Sequence, residues 1–451
     1  MLTLAEILKA TSGKLICGNK DSAVSGISTD SRSLKPGEAF LVIKGSNFNA
    51  HDFLPQAARK GASCFILTDT AKAARAKGPA CIKVKDAVIA LGDIARFYRN
   101  KFNIPVIAVT GSNGKTTAKE MVAQVLAQKY KVLKNEGTKN NHIGLPQALL
   151  GLDKSFDLAV LEISTNHFGE VAYLSGICSP DIGIITNIAP AHLENFKNLQ
   201  GVFKEKYALI NRLKHPHLAV LNSDDNFFKN RTYSQGKKPF CIGFGIKNGG
   251  EFSASAIKLK DRGLEFLVNR KYRFTLKTIG EHNIYNALAA ISLGRIFGIS
   301  YNRMIAALAK FNFPKGRLEL SGYKKINFIN DTYNANPESL RQALGALSNF
   351  PSQGRKILVM GDMLELGEGE ESWHRQIGKE LCGLCDILVA VGRLSQLTAA
   401  AAGASGFIRQ RIFTCRTSAE ARDILWKQIV LEKGDVVLVK GSRAMRMEEV
   451  L

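Results

Sequence analysis

No apolar run in this 451-residue chain approaches the ~18 residues that a helix needs to cross a bilayer. The N-terminal stretch MLTLAEILKATSGK has no basic segment followed by an apolar one, so no export signal is read there. Stable membrane insertion is not expected, and a cytoplasmic location is. Of the eight cysteines, Cys17, Cys64 and Cys178 lie in apolar runs, as buried thiols do. Cys382 and Cys385 form one C-x-x-C, but no second pair stands at zinc spacing. Their setting, GKELCGLCDILVAV, is that of a packed helix end entering a strand. Internal repeats and low-complexity tracts are absent. Acidic residues are scarce, 39 against 62 Lys and Arg, which leaves a formal charge of +23. Such an excess often marks a nucleic-acid binder. Here the lysines are dispersed, with no run of five and no aromatic-interleaved basic strip, so nucleic acid is not an expected partner. A generally basic proteome, or a preference for polyanionic small substrates, accounts for the charge at least as well.

What is present is a globular composition, 45% hydrophobic and 22% charged, at a length that suits about three domains. The first, 1–100, holds short strand-like runs at 39–43, 63–68 and 80–84 and a helical stretch at 53–60. In the second, 101–313, buried-strand runs at 106–110, 158–163, 182–187 and 218–222 alternate with helix-period segments. That pattern predicts a parallel sheet covered on both faces. Residues 236–273, polar and rich in Gly and Lys, predict an antiparallel appendage, and a helix over 283–297 closes the unit. The alternation restarts in the third, 314–451, at 326–330, 357–361, 387–392 and 436–439, and predicts a second doubly wound α/β domain.

The most informative stretch is IPVIAVTGSNGKTT, residues 104–117. An apolar run ends in a glycine-bearing loop, then a lysine and two threonines open a helix. Amides of Gly111, Ser112, Asn113 and Gly114 and of the helix start can cradle phosphate. Lys115 adds a point charge, Thr116 can ligate a phosphate-bound Mg²⁺, and Thr117 follows. Val109 stands where the usual template has its first glycine.

Four features follow near strand carboxyl ends, where ligands gather in open α/β sheets. Glu162 in LAVLEISTNH closes an apolar strand and can bind Mg²⁺. His192 lies in TNIAPAHLENF. Lys206 in FKEKYALI begins a predicted amphipathic helix. GTKNNHIGLP offers Asn140 and Asn141 in a polar turn. Alone, each has an ordinary structural explanation: a strand-end salt bridge, a core histidine, a solvated lysine, a loop.

Together, TGSNGKTT, LEIS, TNIAPAHLENF and a lysine fourteen residues beyond that histidine resemble the central domain of the Mur ligase family, ATP-dependent amide-forming enzymes of bacterial cell-wall synthesis. The resemblance implies several roles. Lys115, Glu162, His192 and Lys206 would be catalytic, with Lys206 carbamylated and joining Thr116, Glu162 and His192 at Mg²⁺. Asn283 and Asn286 in HNIYNALAA would contact adenine, while Arg317 in PKGRLEL and Asp331 in FINDTYNANP would be brought to the nucleotide by the third domain. The first-domain stretch STDSRSLKPGEAFLVIKGSNFNAHDF resembles a UDP-binding domain, with Ser31, Arg32, Asn49 and His51 as substrate contacts. DTYNANP at Asp331–Pro337, VMGDMLELG and KGSRAMRME resemble the family members that join D-alanyl-D-alanine to UDP-N-acetylmuramoyl-tripeptide through an acyl phosphate. Asn141, Asn334 and Asn336 are then further substrate contacts by position. A monomer is expected, with a third domain hinged to swing Arg317 and Asp331 onto ATP. The alternative is another ligase of the same chemistry, such as the tripeptide-forming enzyme.

Overall fold

The computed structural model describes all residues except 46–48, 71–77, 215–216, 230–239 and 261–262. Three α/β domains follow one another, each on its own main sheet. The first sheet runs in the order Lys14–Cys17, Ala80–Lys83, Cys64–Leu67, Ala39–Leu41, Ile27–Ser28, parallel except for its first pair. Helix Ala87–Arg99 covers it. Asp86 caps that helix, accepting from the amides of Val88 and Ile89 at 2.7 and 2.8 Å. At the other end Arg99, 3% exposed, donates to the carbonyls of Cys178, Phe102 and Ile104 at 3.1, 2.6 and 2.9 Å. This ties the first domain to the second.

The second sheet has nine strands: Tyr272–Leu276, Gly263–Val268, Phe252–Lys260, Phe240–Gly245, Leu218–Asn222, Ile182–Ile185, Val106–Thr110, Leu158–Glu162 and Val132–Lys134. Every residue of Val106–Thr110 and Leu158–Glu162 is buried, so these strands read as unbroken apolar runs. The chain leaves Val106–Thr110 for the far edge, returns to Leu158–Glu162, and only then adds Ile182–Ile185 on the other side. Loops therefore diverge at the carboxyl end of Val106–Thr110 and leave a crevice there.

The segment predicted as an antiparallel appendage instead continues this sheet. Phe240–Gly245 and Phe252–Lys260 join in parallel, and only the last two strand pairs are antiparallel. Its polar composition has a simple cause. In Phe252–Lys260 Ala254 is buried, and beyond it half-buried and exposed positions alternate, because one face meets solvent. Residues 236–239 and 261–262 of that prediction lie outside the described residues.

The third sheet runs Glu319–Tyr323, Ile326–Asp331, Val436–Lys440, Lys356–Gly361, Ile387–Val391, Ile412–Cys415, parallel except for its first pair. Leu358, Met360, Leu388 and Leu438 pack on one face, and Ile357, Val359, Val389 and Val437 on the other. Because Val436–Lys440 is inserted between Ile326–Asp331 and Lys356–Gly361, the loops that follow these three strands are neighbours.

Two local readings change. Lys206 does not begin a helix; it lies in the last turn of Leu199–Tyr207. Asn198 sets the start by accepting from the Gly201 amide at 2.9 Å. Cys17 and Cys382 are exposed, whereas Cys64 and Cys178 are buried as expected. No helix among the described residues is long and apolar enough to cross a membrane.

Candidate active site

The crevices of the second and third sheets meet in one cavity of about 410 Å³. Its floor is the phosphate loop. Gly111 and Gly114 adopt φ of 149° and 79°, and both are required: a Cβ on Gly111 would stand 1.9 Å from Thr186 Oγ1, and one on Gly114 2.6 Å from Asn286 Oδ1. Val109 lies inside the strand and is fully buried, so the turn begins two residues later and has no use for a glycine there.

Asn187 splints the loop. Its carbonyl accepts from Ser112 N at 2.9 Å, its Oδ1 accepts from Asn113 N at 3.0 Å, and its Nδ2 donates to Asn113 O at 3.1 Å. Helix Lys115–Leu126 starts with no side-chain cap, which leaves its first amides for an anion. Lys115 Nζ donates to the carbonyls of Gly111 and Ser112 at 2.9 and 3.2 Å. Burial pushes its pKa down, opposed by Glu162 and assisted by Arg317.

Glu162 is 1% exposed at the end of its strand. Its Oε1 accepts from Asn140 Nδ2 at 2.6 Å, while its buried Oε2 has no hydrogen-bond partner. An orphaned carboxylate oxygen in a cavity wall beside a phosphate loop fits a hard divalent cation. His192, at φ 51°, places Nδ1 2.6 Å from Glu365 Oε2 of the third domain. A carboxylate on one ring nitrogen is the arrangement that orients the other toward a metal. Lys206 is 2% exposed and stands behind the cavity wall rather than in it. Burial, with the charge of Lys115, pushes its amine down to about 7. Among the described residues no three His, Cys, Asp or Glu side chains converge as a metal site, so a cation here would also need the Thr116 hydroxyl, phosphate oxygens or a modified lysine.

The third domain supplies the roof. Arg317 stacks 4.0 Å from the Tyr333 ring centroid, and its Nη2 donates to Thr116 Oγ1 at 3.1 Å. Asp331 Oδ2 meets Lys440 Nζ at 2.5 Å, and the same amine donates to Asn334 O at 3.0 Å. Asn336 caps helix Pro337–Ser348 through Oδ1, while its Nδ2 donates to Asn113 Oδ1 at 2.8 Å. On the remaining wall, Asn286 Nδ2 donates to Asn283 Oδ1 at 3.1 Å, and burial holds neighbouring His282 at about 4.

The fold thus brings Ser112 to Thr117, Asn141, Glu162, His192, Asn283, Asn286, Arg317, Asp331, Asn334 and Asn336 around one space. Gly111 lies just beneath it. Ser31, Arg32, Asn49 and His51 stand apart in the first domain. There Ser31 Oγ donates to Gln56 Oε1 at 2.8 Å, and Arg32 forks onto exposed Asp30, holding that carboxyl at about 2. Asn49 Oδ1 accepts from His51 N at 3.1 Å. A bond of 2.6 Å from Gln147 Nε2 to Thr29 Oγ1 connects this region to the second domain. Asn187, His282, Glu365 and Lys440 were not singled out from sequence. Lys440 carried one signal, a charged residue ending a fully apolar strand.

Family models match three successive stretches: the Mur ligase family catalytic domain at 23–100, the Mur ligase middle domain at 109–294, and the Mur ligase glutamate ligase domain at 316–443. UDP-N-acetylmuramoyl-tripeptide–D-alanyl-D-alanine ligase of Bacillus subtilis is 33% identical, over 96% of this chain and 93% of its own. Among solved structures, MurF from Acinetobacter baumannii superposes with a TM-score of 0.89 at 32% identity, covering 99% of this chain and 97% of that one. MurF ligase from Thermotoga maritima, solved in complex with ADP, gives 0.82 at 28% identity, covering 95% and 96%. The chain belongs to the Mur ligase family.

Proposed function

We propose that this chain joins D-alanyl-D-alanine to the terminal carboxylate of UDP-N-acetylmuramoyl-tripeptide, converting ATP to ADP and phosphate. The observation that carries this reading is the shared cavity, with a phosphate loop on its floor and the DTYNANP run, Asp331–Pro337, on its roof. The tripeptide carboxylate attacks the γ-phosphorus, ADP leaves, and an acyl phosphate forms. The dipeptide amine then attacks the acyl carbon, phosphate leaves, and the amine's proton is released.

Lys115, the loop amides and Arg317 stabilise the charge on the transferring phosphoryl group. Asn283 and Asn286 hold the adenine. Asp331, anchored by Lys440, positions the nucleotide from above. Ser31, Arg32, Asn49 and His51 bind the UDP end, and Asn141 and Asn334 line the path of the peptide. Asn336 acts through the loop, because both ends of its amide are already committed. Mg²⁺, when bound, neutralises phosphate charge; Thr116, Glu162, His192 and a carbamylated Lys206 would hold it. A neutral, buried amine is the form that reacts with carbon dioxide, and the surroundings of Lys206 favour that form. Roof and floor together exclude water from the acyl phosphate. A monomer suffices, since one chain supplies every wall, and a nucleotide-linked substrate places the work in the cytoplasm. The third domain closes by a hinge, so scattering profiles should contract when nucleotide and UDP-substrate are added; identical profiles would remove the hinge.

The test is phosphate release with ATP, Mg²⁺ and UDP-N-acetylmuramoyl-tripeptide, with and without the dipeptide. Turnover that requires D-alanyl-D-alanine is expected; turnover indifferent to it would overturn the assignment.

A further inference from the structure

The cavity lining holds three carboxylates. Asp331 is neutralised by Lys440, and Glu162 is buried at the floor beside the phosphate loop. Glu365 remains. Its side chain is 57% exposed and gives Oε2 to His192. Its Oε1 accepts no hydrogen bond among the described residues.

The loop that carries it is built to aim it. Met363 N donates to His374 Nε2 at 3.0 Å, Leu364 N to Ser442 Oγ at 2.8 Å, and Ser442 N to Asp362 O at 3.0 Å. Glu365 itself is held at φ 65°, a conformation that a glutamate adopts at a cost and that recurs at ligand sites. The Leu364–Ser442 bond has a second consequence. It sets Glu365 next to the loop that carries Arg443, whose side chain is 63% exposed and lines the same cavity. One guanidinium nitrogen, Nη1, meets Glu448 at 2.8 Å, and the others have no ion pair among the described residues. An anion and a cation thus stand on adjacent loops at the carboxyl end of a doubly wound sheet, lining the same cavity as the phosphate loop.

We propose that Glu365 and Arg443 form a two-point site for a zwitterionic dipeptide: Glu365 takes the α-ammonium and Arg443 the C-terminal carboxylate. This rests on the ligase reading above. A carboxylate accepting from an ammonium and a guanidinium donating to a carboxylate are both charge-assisted bonds, and their order along the cavity fixes which end of the dipeptide faces the acyl phosphate. The ammonium gives up one proton to solvent by way of the exposed Glu365 carboxylate before its nitrogen attacks, and Glu365 keeps the resulting amine beside His192; Arg443 rejects acceptors that lack the terminal charge.

The experiment is steady-state kinetics on the full chain, with D-alanyl-D-alanine and with D-alanyl-D-alaninamide, which lacks the terminal carboxylate. Glu365→Gln should raise KM for both acceptors by about 10- to 100-fold, with KM for ATP and for UDP-N-acetylmuramoyl-tripeptide within about twofold of the unsubstituted enzyme. Glu365→Asp should keep most of the affinity. Arg443→Met should raise KM for the dipeptide by a similar factor and leave that for the amide unchanged, erasing the preference between them. If Glu365→Gln moves all three KM values together, or only kcat, the residue is an interdomain latch on His192 and the proposal falls. If Arg443→Met still prefers the dipeptide as strongly as before, Arg443 does not read its carboxylate. Absence of acceptor-dependent turnover in the unsubstituted enzyme would instead refute the ligase reading itself.

Discussion

Replacing Lys440 with methionine tests whether the third domain presents Asp331 through a buried ion pair. Asp331 and Lys440 are register partners at the ends of adjacent parallel strands, their charged atoms 2.5 Å apart, with side chains 14% and 3% exposed. Two unit charges at that separation attract by about 7 kcal/mol at an effective dielectric of 20, most of which desolvation offsets. Breaking such a pair from one side leaves an uncompensated charge and costs about 3–5 kcal/mol. Lys440→Met and Asp331→Asn should therefore each destabilise the third domain by about that much. The double variant, which buries no charge, should fall short of the sum by at least about 2 kcal/mol. Both tryptophans, Trp373 and Trp426, lie in this domain, so denaturant titration followed by their fluorescence reports on it directly. ATP turnover separates structure from chemistry, since the double variant regains stability and stays inactive for want of the Asp331 carboxylate. A cost below about 1 kcal/mol for either single variant, or simple additivity, refutes the reasoning.

Gly111→Ala should abolish turnover and cost about 2 kcal/mol in stability, because the new methyl meets Thr186 Oγ1 at 1.9 Å and the backbone φ of 149° disfavours any side chain; thermal melting and phosphate release check both. Lys206→Ala should lose most activity and regain part of it with added short-chain carboxylic acids; full activity without rescue would remove the carbamate from the mechanism. Burial lowers the His282 pKa from 6.5 to about 4, with Asp331 opposing and Lys440 assisting. The unfolded chain thus binds the proton first, and stability is lost as pH falls from 6.5 to 4. His282→Gln should flatten the stability profile over that window; an unchanged slope in acid denaturation curves would contradict it.

Most of the architecture was legible because parallel strands buried on both faces leave continuous apolar runs; 106–110 and 158–163 could hardly read otherwise. The phosphate loop was equally plain, since only glycine tolerates the backbone at 111 and 114. Legibility ended where local pattern meets distant partners. Lys206 reads as a helix start in FKEKYALI, whereas the Asn198 cap upstream starts the helix earlier and leaves the lysine in its last turn. The strands at 240–245 and 252–260 read as separate because their solvent-facing residues dilute the apolar signal of a sheet that continues through them. Glu365, Asn187 and Lys440 owe their positions to contacts across domains or neighbouring strands, and such contacts leave no periodic trace in the chain.

Asn336 holds the start of a third-domain helix with one end of its amide and the phosphate loop with the other. Moving the third domain away keeps the helix capped but strips the Asn113 side chain of its Asn336 partner. A compound wedged between Asn113 and Asn336 would hold the two domains at a fixed, unproductive distance. It would inhibit by blocking closure, without mimicking the peptide substrates.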